Sequence, residues 1–595
     1  MTFLPPHTSD KRRMPETAHY KKVPVMEPPA DVSADVDPSA APYGLDHTVP
    51  AASPGKQTFT WQRETSPPRL IASTVSTGCG SRQALHAGFI RSAQRPLRDT
   101  ARDPATQYEL RRNRRIGYAV SVARRPAESS LHSPPCHIRD WGPVVRGKDR
   151  DYKLDAIPGS WGGLGHIVRL WRDPLGFLES LPKHGDLVRL RLGTVRVWML
   201  CDPELTHHVL QDGRTFDKGG TFDEATRLIV QDGLVVAPHE PHKRQRRLVQ
   251  PVFHHQRLDQ YAAVMDTEIR AVSDSWSTDR VLDGVGEMQR LAMRVTARTM
   301  FSSALGEHTV AQVREDLTNI MDGARHKLFA RMSGLAWVPT AAGKRFDTSI
   351  ARMNKTVTDL IADYRRSGRD HGDMLSMLLE STDEHGDALT DDEVHAQVLT
   401  VFMAGTETTA SLLAWALHLV SEDEDLQDRI REEARELPNE GVGLADVGKL
   451  KLTRRVLTET LRMYPPVWIF HRRLRTESKV LGTRLPEGSN LFYSPYVIHH
   501  RPDLYPEPHE FRPDRWLPGA SDHLPKGGYV PFGGGSRKCI GDEFAHTESA
   551  IALARILGTW RLRPMPGEVV RPAVKASLRP DAVRLRLYRH ARQEA

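Results

Sequence analysis

Ten residues constrain this chain more than any other stretch: Phe532-Gly-Gly-Gly-Ser-Arg-Lys-Cys539-Ile-Gly541. Three consecutive glycines work against a regular helix or a central strand, because they lose the most backbone entropy on ordering and offer no side chain to pack. They suit a tight loop that brings backbone close to another group. The stretch that follows, Asp542 to Arg555, is helical in pattern, so Cys539 sits just ahead of a helix N-terminus. The dipole there favours a thiolate over a thiol. The plain alternative is a free cysteine in a Gly-rich turn, which is also the reading for Cys79, Cys136 and Cys201.

Around that loop the chain divides in two. Residues 1–150 are rich in Pro, Ser, Arg and Thr and show little periodicity. Such a segment buries too little apolar area to offset chain entropy. The expectation is a disordered extension, or upstream sequence translated from an early start. It carries 23 of the 83 Lys and Arg residues and 14 of the 75 Asp and Glu residues. The remainder, 60 basic against 61 acidic, is near neutral, so the net +8 belongs to the extension and argues for no nucleic-acid partner.

Residues 151–595 read as one large, mainly α domain with a minor β-sheet. Apolar spacing predicts helices over 166–183, 240–253, 258–276, 286–302, 308–330, 347–367, 390–421, 424–436 and 452–463. Alternation around a glycine predicts a hairpin over 186–200, and short strands are expected near 478–493 and 582–588. The four cysteines are far apart, which speaks against a disulfide framework or a zinc or iron–sulfur site and fits a reducing cytoplasm. No signal peptide is evident, and no run of about 18 apolar residues suggests a membrane anchor. The expectation is a cytoplasmic monomer.

The cysteine loop resembles the haem-binding signature of the cytochrome P-450 superfamily, F-x-x-G-x-R-x-C-x-G, at every fixed position: Phe532, Gly535, Arg537, Cys539 and Gly541. The resemblance implies haem b with Cys539 as thiolate ligand to iron. Such a sulfur needs backbone N–H donors and little water. Phe532 is then expected to cover the proximal face of the ring, and Arg537 to pair with a propionate. Ala404-Gly-Thr-Glu407-Thr408-Thr409 resembles the family's A-G-x-D/E-T-T, which implies Glu407 and Thr408 as an acid and an alcohol that relay protons to bound O2. The glycine and threonines are expected to weaken the helix locally and open a groove.

Glu459-x-x-Arg462 and Phe511-Arg-Pro513-Asp-Arg515-Trp516 are similar to the family's structural ion triad. His242 and Arg246, at i and i+4, and Arg472 after Tyr464-Pro-Pro466 match its other propionate partners, with Arg473 a rival for the last role. The resemblance places Phe222, Leu228, Phe402, Met403, Val467, Trp468, Ile469 and Phe470 around the substrate, an apolar set that suits a hydrocarbon.

Stretches such as Phe216-Asp-Lys-Gly-Gly and Arg246-Arg-Leu-Val-Gln-Pro-Val-Phe253 are similar to bacterial terpene-oxidising members of the superfamily. The expected activity is insertion of one oxygen atom of O2 into a C–H bond of an apolar small molecule. No flavin or nicotinamide fingerprint is visible, so electrons are expected from a separate ferredoxin and ferredoxin reductase. Lys243, Arg244, Arg247, Arg454 and Lys538 are candidates for the ferredoxin face. Competing readings are a hydroxylase of fatty-acid or polyketide-type substrates, a haem-thiolate isomerase or peroxygenase, a non-enzymatic haem sensor, and a helical protein without a cofactor. Glu407 and Thr408 weigh against the isomerase.

Overall fold

The computed structural model describes residues 165–302, 307–332 and 340–590; the extension expected over 1–150 lies outside them. Its axis is a 31-residue helix, Asp391–Ser421. A capping box starts it: Thr390 Oγ1 accepts from Glu393 N–H, and the Glu393 carboxylate accepts from Thr390 N–H at 3.0 Å. Beyond the first turn it is buried on nearly every face, and this apolar character places it in the core rather than at the surface. The helices Gly284–Met300, Lys451–Met463 and Asp542–Thr559 pack against it. Among the described residues no helix is long and apolar enough to cross a membrane.

Most predicted helices appear within a few residues of their expected bounds. The exceptions have local causes. The 166–183 stretch breaks into Ile167–Arg172 and Pro174–Glu179, because Asp173 caps a second helix that begins on a proline. The 240–253 stretch ends as a helix at Val249 and continues as a 3₁₀ turn through Pro251.

The hairpin forms as Leu187–Leu192 and Val195–Leu200, turning at Gly193. It extends into a five-stranded sheet through a parallel pairing with Asn490–Tyr493, then antiparallel pairings with Phe470–Leu474 and Phe216–Asp217. These last two strands escape the sequence pattern; one is only two residues long. They matter because register sets Asp217 opposite Arg473, beside the charged run His471-Arg-Arg473.

Glu459 and Arg462 are fully buried. Arg462 grips the carboxylate with Nε and Nη2 at 2.8 and 2.9 Å. Arg515 Nε at 3.2 Å, Trp516 Nε1 at 2.9 Å and Arg512 N–H at 3.0 Å complete the donor set. The remaining Arg462 donors reach the carbonyls of His499, Pro508 and Glu510. Glu459→Gln would leave two guanidiniums facing a neutral amide in a dry site. It should cost about 3–5 kcal/mol, read as a lower denaturant midpoint.

Burial also holds His499 and His500 far below the usual imidazole range, His500 at about 3. Unfolding returns both toward 6.5. The unfolded chain therefore binds more protons below that pH, and stability falls as pH drops from about 6.5 toward 3. Denaturant titrations on either side of pH 6.5 check this; an equal midpoint below it would contradict the assignment.

Candidate functional site

The cysteine loop folds as a 3₁₀ turn, Gly535–Arg537, followed by the helix Asp542–Thr559. Gly535 has φ +64°, and a Cβ there would lie 1.9 Å from the Leu210 carbonyl oxygen, so only glycine fits. Phe532 is half-buried with its ring 5.2 Å from that of His546, and its carbonyl accepts from Cys539 N–H at 2.9 Å. Gly541 donates its N–H to the Cys539 sulfur. Cys539 is exposed by surface area, although protein atoms crowd around its sulfur. Burial pushes the Cys539 thiol up, while the Gly541 N–H, Arg246 and Lys538 pull it down. Burial is the largest of these influences and favours the thiol; a cation bound to sulfur would favour the thiolate.

Arg246, Arg472 and Arg537 converge on His242, close enough to depress it electrostatically, and Arg472 also depresses Arg537. Burial, then Arg537 and Arg246, bring His242 down to about 3, so it is neutral there. Arg537 pairs with Asp217, and its buried Nε has no partner among the described residues. Arg246 donates to the Lys538 carbonyl at 2.7 Å. Arg472 belongs to this cluster. Arg473 does not: its guanidinium lies over Gly220 and Gly488.

Two participants were missed from sequence. Lys218 pairs with Asp223 at 3.7 Å, and burial brings it down to about 8. Asp217 anchors Arg537. Lys218, Arg246, Arg472 and Arg537 thus outnumber Asp217 and Asp223. An excess of buried cations with an unused donor fits the two carboxylates of a haem. Arg472→Leu should weaken haem binding by about 1.5–3 kcal/mol and Arg473→Leu should not, read as haem-to-protein absorbance after gel filtration.

Glu407 and Thr408 line a cavity of about 520 Å³. The expected local opening of the helix is not seen: the helix runs unbroken from Asp391 to Ser421. Gly405 serves a close helix crossing instead, since a Cβ would lie 3.3 Å from Thr296 Oγ1. Thr408 Oγ1 donates to the Ala404 carbonyl at 2.6 Å, as a threonine i−4 bond does. Neighbouring helix residues diverge, and the Glu407 carboxylate accepts from Ser577 Oγ at 2.7 Å and Gln289 Nε2 at 3.4 Å. Ser577 comes from a hairpin 170 residues away, so nothing near Glu407 in sequence announces it. Behind Glu407 lies a second, water-sized cavity lined by Gln289, Arg314 and Thr406.

Phe222, Met403, Val467, Trp468, Ile469 and Phe470 line the larger cavity as expected. Leu228 is instead 40% exposed, and Phe402 packs into the core near Phe301. On the proposed ferredoxin face, four of the five cations are already ion-paired: Arg244 with Asp383 and Glu393, Arg247 with Glu384, Arg454 with Glu543 and Lys538 with Asp542.

The profile of the family "Cytochrome P450" matches residues 161–585. Cyclooctatin synthase of Streptomyces melanosporofaciens is 43% identical over 73% of this chain and 96% of its own length. Cyclooctat-9-en-7-ol 5-monooxygenase of the same organism is 42% identical over 72% and 95%, and pentalenene oxygenase of Streptomyces avermitilis 40% over 73% and 96%. The chain therefore belongs to the cytochrome P450 family, as a monooxygenase with haem on an axial cysteine thiolate and O2 as co-substrate.

Proposed function

We propose that this enzyme inserts one oxygen atom of O2 into a C–H bond of a terpene, and that the Cys539 thiolate would hold the haem iron. The observation that carries this reading is the 520 Å³ cavity, apolar over most of its wall and bounded by Glu407 and Thr408. Two relatives' names point the same way: one oxygenates pentalenene and the other cyclooctat-9-en-7-ol. Haem supplies the activation of O2 and the transfer of an oxygen atom. His242, Arg246, Arg472 and Arg537 would hold its propionates. Gly541 N–H would temper the sulfur, Gly535 lets the loop close against Leu210, and Phe532 would cover the proximal face.

Glu407 stands between the substrate cavity and the water-sized one, so its carboxyl can take a proton from one side and release it on the other. Ser577 and Gln289 hold the Glu407 carboxylate by hydrogen bonds, while Thr408 offers its hydroxyl on the same cavity. Electrons would come from a separate ferredoxin and reductase.

The test is turnover with a surrogate ferredoxin and reductase under ¹⁸O2. Pentalenene, cyclooctat-9-en-7-ol and a long-chain fatty acid are offered in parallel. A terpene product with one ¹⁸O supports the reading; turnover of the fatty acid alone removes the terpene assignment. Glu407→Gln should slow product formation about 10²-fold. Unchanged product formation would remove Glu407 from proton delivery.

A further inference from the structure

We propose that Glu179, His500 and His509, none of them part of the cluster around Arg537, form a binding site for a borderline divalent cation, zinc first among them. The three offer one ligand atom each, and these atoms lie within 4.8 Å of one another. They come from three separate chain segments. Glu179 ends the helix Pro174–Glu179, His500 follows the helix Pro495–His499, and His509 lies in the loop beyond. Two imidazoles and a carboxylate, with a position left for water, are a donor set that suits zinc.

What separates this cluster from a chance grouping is how its members are held. Tyr496 donates its hydroxyl to Glu179 Oε1 at 2.6 Å, which leaves Oε2 as the ligand oxygen. His500 Nδ1 lies 2.8 Å from the Tyr496 carbonyl, so Nδ1 carries the proton and Nε2 keeps its lone pair. One residue thus orients two ligands, as the outer partners of metal sites do. His500 is buried. His509 Nε2 is 3.9 Å from Glu179 Oε2, with its ring 5.1 Å from that of His500. The His509 ring is largely exposed, while its backbone is held. The carbonyls on either side, Pro508 and Glu510, both accept from buried Arg462. A metal needs only a small closure of the exposed His509 ring onto the other two ligands.

The plain alternative is a hydrogen-bonded tie between a surface helix and the core. The full-length holoenzyme, stripped with a chelator, would be titrated calorimetrically with Zn²⁺. The chain has 27 histidines, so wild-type binding alone decides nothing. Expected is one zinc site that Glu179→Gln and His509→Ala each weaken at least about tenfold, and that Tyr496→Phe weakens by about 10–100-fold. Zinc should also raise the thermal midpoint of the wild type and not of the Glu179 and His509 variants. The absorption of the reduced carbonyl complex checks that each variant keeps its fold. If the protein takes up no zinc, or if both ligand variants titrate as the wild type does, the site is a hydrogen-bonded tie only.

Discussion

The buried carboxylate of Glu459 ties the helical core to the segment that delivers the cysteine. Its helix, Lys451–Met463, packs against the axis of the fold, while Arg515, Trp516 and the Arg512 N–H bind it from the far side. The chain then runs on to Tyr529, whose hydroxyl donates to the Thr458 carbonyl, and to Val530, whose N–H donates to His499 Nε2. Two residues later the cysteine loop begins. A charge removed from water is costly unless every lone pair is satisfied. Here five donors meet one carboxylate, so the groups that cannot leave it also fix where Cys539 stands.

The second constraint is electrostatic. Around Arg537 and Arg472 the protein gathers cations that two aspartates only partly neutralise. Left to itself such a cluster opposes folding. Matched by the carboxylates of a haem it becomes a selective cradle. The cost to the apoprotein and the affinity for the cofactor then have one origin.

The central helix joins these two parts to the substrate cavity. Its interior packing demands an apolar surface all round, yet Glu407 sits in its middle. The carboxylate is tolerated because Ser577 and Gln289 supply donors and a water-sized cavity adjoins it. An acid that is satisfied but not locked by a strong cation can turn and exchange protons, which an ion-paired one could not do cheaply.

Much of this was readable from residue order. Local patterns gave the long helices, the hairpin at Gly193 and the cysteine loop, because apolar periodicity and glycine's backbone freedom act over a few residues. The choice of Arg472 over Arg473 was not readable, since both sit in one strand and only its pairing decides which guanidinium faces Arg537. Ser577 and Gln289 were also hidden, since each meets Glu407 across a gap of chain that no periodicity spans; Lys218 pairs with nearby Asp223, and only the fold shows that it is buried beside Arg472 and Arg537. The break at Asp173-Pro174 and the packed role of Gly405 show the same limit on a smaller scale. Sequence alone determined which chemical groups the protein carries and the helices that present them. Tertiary structure decided which of them share a site, because burial and charge act through space and not along the chain.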